Sequence, residues 1–267
     1  MDIIKDHKFS EFFKKNSESE RNVDFLVFHH IEAQSSKEAM DLLKEHEVSS
    51  HYLIDESGQI LLLVEENDIA YHAGVSYFAG FDGLNVDSIG VEILTSDALS
   101  KGFSTMQLDA LIELSNYLID KYSIRQQNIV GHSDIAYFSD NCDKKFADQI
   151  GCLDRKDDPS HMFNWKYMSK NGVSLFPSQE FTGKDGGLYK IGDNGPEILE
   201  IKRKLAIFGY KVDNLDENFD IEMKNLCRVF NRRFNPDQYL VDPDIWWKSS
   251  EFLLGDLYHL LLCDLDD

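Results

Sequence analysis

Two short stretches of this chain carry residues able to hold a metal ion and to assist a hydrolysis. The first is Gly131-His132-Ser133-Asp134-Ile135-Ala136, and the second is Arg155-Lys156-Asp157-Asp158-Pro159. Neutral imidazole and carboxylate are good ligands for zinc. An adjacent ammonium can stabilise negative charge that builds on a substrate oxygen. His132 follows Asn128-Ile129-Val130, which reads as a short strand, so it stands at a strand end. Asp158 precedes Pro159, which disfavours helical geometry and holds the aspartate extended or in a turn. Alone, a histidine near an aspartate is more often structural than chemical, so the pair gains meaning only from what surrounds it.

The elements that must position these groups can be read in order. Val23-Asp24-Phe25-Leu26-Val27-Phe28-His29-His30 is a near-continuous apolar run ending in two histidines, the pattern of a strand buried on both faces. Strand side chains alternate, so His29 and His30 point to opposite faces and only one can serve a given site. Ser35-Ser36-Lys37-Glu38 resembles a capping box and opens a helix through Ala39, Leu42 and Leu43. Residues 50–54 and 59–64 flank Glu56-Ser57-Gly58 as a hairpin. Ser88-Ile89-Gly90-Val91-Glu92-Ile93-Leu94 reads as another strand, with a carboxylate inside an apolar run. Burying Glu92 costs free energy unless it is paired, which marks it as a candidate acid or base. Ser104 opens a helix carrying Leu108, Leu111, Ile112, Ser115 and Leu118 at helical spacing up to Tyr122.

Strand–helix–strand alternation argues for a layered α/β domain over residues 23–177, preceded by an arm over 1–22. Residues 178–194, rich in Gly, Lys and Asp, read as a linker. Three amphipathic helices follow in 195–267. One starts at Pro196, one runs through Phe219 to Phe230, and one covers roughly Ile245 to Leu262. Trp246-Trp247 fits core packing better than a sugar-stacking surface. His7, His46, His161 and His259 read as solvated or packed side chains.

Composition excludes some functions. Lys and Arg total 27 against 48 Asp and Glu, a formal charge of −21, which disfavours nucleic acid as a partner. No apolar run is long enough to span a bilayer. The start, Met1-Asp2-Ile3-Ile4-Lys5-Asp6, lacks the apolar core of a secretory signal, so the chain as given reads as cytoplasmic. A leader missing from it would point to the periplasm or envelope instead. None of the four cysteines, Cys142, Cys152, Cys227 and Cys263, forms a CxxC pair, so a thiolate zinc site is disfavoured.

Six pieces occur together in one order. They are Val27-Phe28-His29, Ser50-His51-Tyr52, Tyr71-His72-Ala73-Gly74, Ser88-Ile89-Gly90-Val91-Glu92, the His132 segment and the Asp158 segment. In this the chain resembles the zinc-dependent N-acetylmuramoyl-L-alanine amidases that share a fold with the peptidoglycan recognition proteins, and most of all their Gram-negative, muropeptide-cutting branch. The tail, with Leu205-Ala206-Ile207-Phe208-Gly209-Tyr210 and Val229-Phe230-Asn231, is more loosely similar to a peptidoglycan-binding three-helix domain.

The resemblance implies an α/β fold with a mixed central β-sheet flanked by helices, plus a small C-terminal three-helix bundle. It implies one zinc ion per chain, held by His29, His132 and Asp158, with Glu92 and Lys156 on the catalytic positions. His51, Tyr52 and His72 fall on motif positions near the groove. The implied reaction cuts the amide between the lactyl group of N-acetylmuramic acid, including its 1,6-anhydro form, and L-alanine of the stem peptide. The alternative is a recognition module that keeps the fold without turnover. The tail could bind wall, pack on the catalytic domain or mediate a homodimer. Two departures stand out: Tyr137 to Asp154 is inserted between the two metal-site segments, as a lid or a surface excursion, and Ser160 replaces the family's usual glycine after Asp158-Pro159.

Overall fold

The computed structural model describes residues 1–5, 21–138 and 156–263. The insertion beyond Phe138, with Cys142 and Cys152, lies outside the described residues, as do Arg155, His7 and most of the N-terminal arm. In chain order the strands are β1 (Ile3–Lys5), β2 (Phe25–Glu32), β3 (Tyr52–Ile54), β4 (Ile60–Leu62), β5 (Tyr77–Phe78), β6 (Phe81–Asp82), β7 (Ser88–Thr95), β8 (Ile129–Gly131), β9 (Gly187–Tyr189) and β10 (Trp246–Trp247). The helices among the described residues are α1 (Ser36–Glu45), α2 (Thr105–Tyr122), α3 (His132–Ile135), α4 (Trp165–Lys170), α5 (Pro196–Phe208), α6 (Ile221–Phe234), α7 (Pro236–Val241) and α8 (Lys248–Cys263). None of them is long and apolar enough to cross a membrane.

The described chain divides into two compact units. One holds Met1–Ser76, Gly83–His132 and Asp158–Ser174, and the other holds Tyr77–Asp82, Ser133–Asp157 and Leu175–Asp267. The division therefore differs from a single cut near residue 177, because two excursions from the earlier segment belong with the later one.

The first unit is built on a six-stranded mixed sheet in the order β1-β4-β3-β7-β2-β8. Only the hairpin pair β3–β4 is antiparallel; the other neighbours run parallel. The two apolar runs seen in the sequence, β2 and β7, lie side by side near its middle, and all eight residues of β7 are buried. Central parallel strands are covered on both faces, which is why they read as unbroken apolar runs.

On one face, α1 lays Ala39 and Leu43 over Leu53, Leu63 and Leu94. Ser35 caps α1 by accepting from the Glu38 N–H. The Glu38 carboxylate reaches back to the N–H of Gln34, one residue before the position a full capping box uses. On the other face, Phe28 stacks on Trp165 of α4, with ring centroids 5.8 Å apart. The long helix α2 opens with a complete Ser104–Gln107 capping box.

The second unit holds α5 to α8. The stretch read as a linker contains β9, which pairs antiparallel with β10. That pairing takes Trp246 and Trp247 out of the last helix, which begins at Lys248 instead of Ile245. Trp246 is fully buried against Phe230 at 5.1 Å, with its ring N–H donated to Glu251, so it is core. Besides the three expected helices, α7 adds a short fourth, with Pro236 in its first turn.

Within this unit Asp134 accepts from Arg233 Nη1 at 2.5 Å and from the Tyr210 hydroxyl at 3.0 Å, with all three side chains almost fully buried. Removing one partner of a buried ion pair strands the other charge away from water. Asp134→Ala is therefore expected to cost about 3–5 kcal/mol, read as a lowered denaturation midpoint for the C-terminal unit. A loss below about 1 kcal/mol, the range of an exposed pair, would contradict this account.

Candidate metal centre

Strand register sets the site. In the parallel pairing of β2 with β7, His29 lies opposite Glu92, and Leu53 of β3 lies on the other side of Glu92. Phe28 lies opposite Gly131 of β8, so His132 is the next residue at the level of His29. Directly paired residues share a sheet face, so Glu92 and His29 stand next to each other on one side.

Three donor atoms meet there. His29 Nδ1 is 3.0 Å from His132 Nδ1 and 3.0 Å from Asp158 Oδ2, and His132 Nδ1 is 3.2 Å from the same carboxylate oxygen. The side chains are buried, from 2 % exposed for His29 to 9 % for Asp158. Tetrahedral zinc with donors at 2.0–2.1 Å would space those donors about 3.3 Å apart, within a few tenths of each side of this triangle. The donor set, two imidazoles and one carboxylate, is one that zinc accepts. His132 donates its Nε2–H to the Ala73 carbonyl at 3.2 Å, which leaves the Nδ1 lone pair aimed into the triangle. Burial pushes the Asp158 carboxyl pKa up, but the charge of a protonated His132 and hydrogen bonds from both imidazoles in that form outweigh it and bring the pKa well below its usual range. Ser160, just beyond, takes a positive φ of 83°, the left-handed region where glycine is at ease. Its hydroxyl donates to the Ala98 carbonyl and accepts from the Met162 N–H.

The other sequence-predicted residues fall in different places. Glu92 is buried beside His29. Lys156 precedes Asp158 by two residues and is half-buried, and its carbonyl accepts from Arg232 Nη1 at 3.2 Å. His72 packs edge-on against His29, with ring centroids 5.0 Å apart.

His51 and Tyr52 are both buried. His51 is fully buried, accepting the Gly90 N–H at Nδ1 and facing the Asp68 carbonyl through Nε2. Burial, then the nearby Arg21 charge, pushes its pKa down to about 3, so the ring is neutral. Tyr52 pairs with Val91, which puts it on the opposite face from Glu92. There its hydroxyl donates to Glu66, which also accepts from Tyr122 and Lys121.

Sequence reasoning passed over Gly90. A Cβ there would sit 2.5–2.7 Å from three atoms of the His72 ring, so the absent side chain is the space that the imidazole fills. A lone glycine inside an apolar strand is the signal of such close approach.

The fold and the site define a class: a mixed-sheet α/β protein with a buried centre of two histidines and one carboxylate suited to a divalent metal. The family model described as N-acetylmuramoyl-L-alanine amidase matches residues 19–160, more than half of the 267. The chain belongs to that amidase family. It is similar to the N-acetylmuramoyl-L-alanine amidase AmiD of Escherichia coli, with 27% identity over 240 residues that cover 83% of this chain and 78% of the relative. It is also similar to the 1,6-anhydro-N-acetylmuramyl-L-alanine amidase AmpD of Haemophilus influenzae, with 36% identity over 46% of this chain and 58% of that one. The structure of Escherichia coli AmiD in complex with anhydro-N-acetylmuramic acid-L-Ala-D-gamma-Glu-L-Lys matches with a TM-score of 0.70 and 25% identity, covering 93% of both chains. AmpDh3 from Pseudomonas aeruginosa shares the fold at a TM-score of 0.67 and 23% identity, over 93% of this chain and 96% of its own.

Gly90→Ala is expected to destabilise the first unit by about 1–3 kcal/mol, because His72 must yield to the new methyl. Denaturant unfolding reads this directly. An unchanged midpoint would show that the contact is not tight.

Proposed function

We propose that this chain is a zinc-dependent N-acetylmuramoyl-L-alanine amidase, hydrolysing the amide between the lactyl group of N-acetylmuramic acid and L-alanine of the stem peptide. The observation that carries this reading is the triangle of His29, His132 and Asp158 donor atoms, 3.0–3.2 Å apart, in a member of that amidase family. These residues would hold one zinc ion per chain, and three protein donors are the pattern of catalytic rather than structural zinc. When bound, zinc supplies Lewis acidity, polarising a carbonyl and acidifying a water.

Glu92 is the base. Its carboxylate takes a proton from the attacking water and passes it to the departing alanine nitrogen as the carbon–nitrogen bond breaks. The Lys156 ammonium stabilises the negative oxygen of the tetrahedral carbon. The water's oxygen ends in the lactyl carboxyl group and its proton on the freed amine, so atoms balance. The substrates are muropeptides, the 1,6-anhydro form among them, since one similar amidase is named for that form and another has been solved with such a ligand. The C-terminal unit we assign to contact with the wall polymer.

Three measurements test this reading. Exhaustive chelation should abolish release of peptide from muropeptides, and zinc alone should restore it. Glu92→Ala should keep zinc binding while lowering kcat by about 10²–10⁴-fold. Sacculi and anhydro-muropeptides, digested separately and analysed by mass, identify the preferred substrate. Full activity in Glu92→Ala would overturn the assigned mechanism. Wall binding with no turnover, zinc supplied, would favour a recognition module.

A further inference from the structure

Behind the candidate ligands, hydrogen bonds run in one direction. The Ser88 hydroxyl donates to the Leu84 carbonyl at 2.6 Å. Ser88 Oγ therefore meets His72 Nε2, 3.2 Å away, as an acceptor, and the proton sits on that nitrogen. A neutral imidazole protonated at Nε2 offers a lone pair at Nδ1. His72 Nδ1 lies 3.0 Å from His29 Nε2, which must then be the donor. His29 protonated at Nε2 presents a bare Nδ1 to His132 and Asp158. A carbonyl has no proton to give, so the Leu84 oxygen fixes the sense of the whole chain.

The neighbouring residue serves the second imidazole, because the Ala73 carbonyl takes the Nε2–H of His132. Both backbone N–H groups of this dipeptide, His72 and Ala73, donate to the Asn85 side-chain oxygen, at 3.0 and 2.8 Å. Gly90 leaves the room the His72 ring occupies. One short segment thus faces both imidazoles from outside and is itself clamped.

We propose that His72 and Ser88 are positioning residues for the metal centre, forming a relay to the Leu84 carbonyl that locks His29 in the tautomer whose Nδ1 binds the ion. The relay rests on the zinc reading above. It contributes none of the three donor atoms. It acts by removing the alternative tautomer and ring orientation of His29, which would otherwise have to be given up on metal binding.

The test is zinc affinity, measured by competition with a chromophoric chelator on the full chain, with folding followed by circular dichroism. His72→Leu keeps the bulk and removes the acceptor, and should weaken zinc binding about 10–100-fold. His72→Asn keeps an oxygen able to accept from His29 Nε2–H and should recover part of that loss. Ser88→Ala should cost about fivefold, the worth of one neutral hydrogen bond. Nitrogen NMR of the metal-free protein should show His29 protonated at Nε2 in the unaltered chain and as a mixture of tautomers in His72→Leu.

A folded His72→Leu variant with undiminished zinc affinity overturns the relay, as does His29 protonated at Nδ1 in the unaltered chain. If His72→Leu does not fold, Ser88→Ala decides, and unchanged affinity there overturns the relay. If the unaltered chain itself takes up no zinc, the metal reading falls and the relay with it. Zinc bound equally by the unaltered chain and the variants removes the relay alone.

Discussion

Three atoms bearing lone pairs, held within 3.2 Å of one another and out of water, repel until a positive charge joins them. Left to themselves the side chains would swing apart, so the surrounding structure must hold them. It does so with the paired strands of the first unit and the turns that follow them. His29 lies on a strand paired on both sides, and His132 starts the helix that follows an adjacent strand. Asp158 is followed by the constrained Pro159 and by Ser160, whose hydroxyl bonds tie down a left-handed turn. The burial that makes the arrangement costly also makes it useful, because a cation placed there meets little competition from solvent.

Alternation along strands then decides which neighbours take part. His29 and Glu92 face the site because register puts them side by side. His30, one residue on, is carried to the opposite face, where its ring lies 6.5 Å from that of Phe103. The same rule separates His51 from Tyr52. His51 stands behind His72, their rings 5.8 Å apart, while Tyr52 joins the Glu66 cluster across the sheet. Four imidazoles stand in a row, from His51 through His72 and His29 to His132, with neighbouring ring centroids 4.5–5.8 Å apart.

Much of this was legible before any coordinates. The apolar runs of β2 and β7, the hairpin around Gly58 and the capped helices follow from local pattern, and the structure holds all of them. What local pattern could not supply is what depends on partners far along the chain. The strand at Gly187–Tyr189 looks like linker because it is short and exposed, and it exists only by pairing with Trp246–Trp247. Asp134 sits in the most conspicuous motif, yet its own partners, Tyr210 and Arg233, are 76 and 99 residues away. In the sequence Gly90 and Ser88 are only letters of a motif, and packing gives them their physical meaning, one as space for the His72 ring and the other as a link between His72 and the Leu84 carbonyl.

The donors of the metal centre are far apart in the sequence: His29 lies 103 positions before His132 and 129 before Asp158. A nascent chain emerging from its N-terminus therefore exposes the first imidazole long before it can offer the carboxylate. No partial chain ending before residue 158 has the complete set of donors. An ion that needs all three donors could be held only once residue 158 is in place, and its affinity would then add to the stability of the folded state.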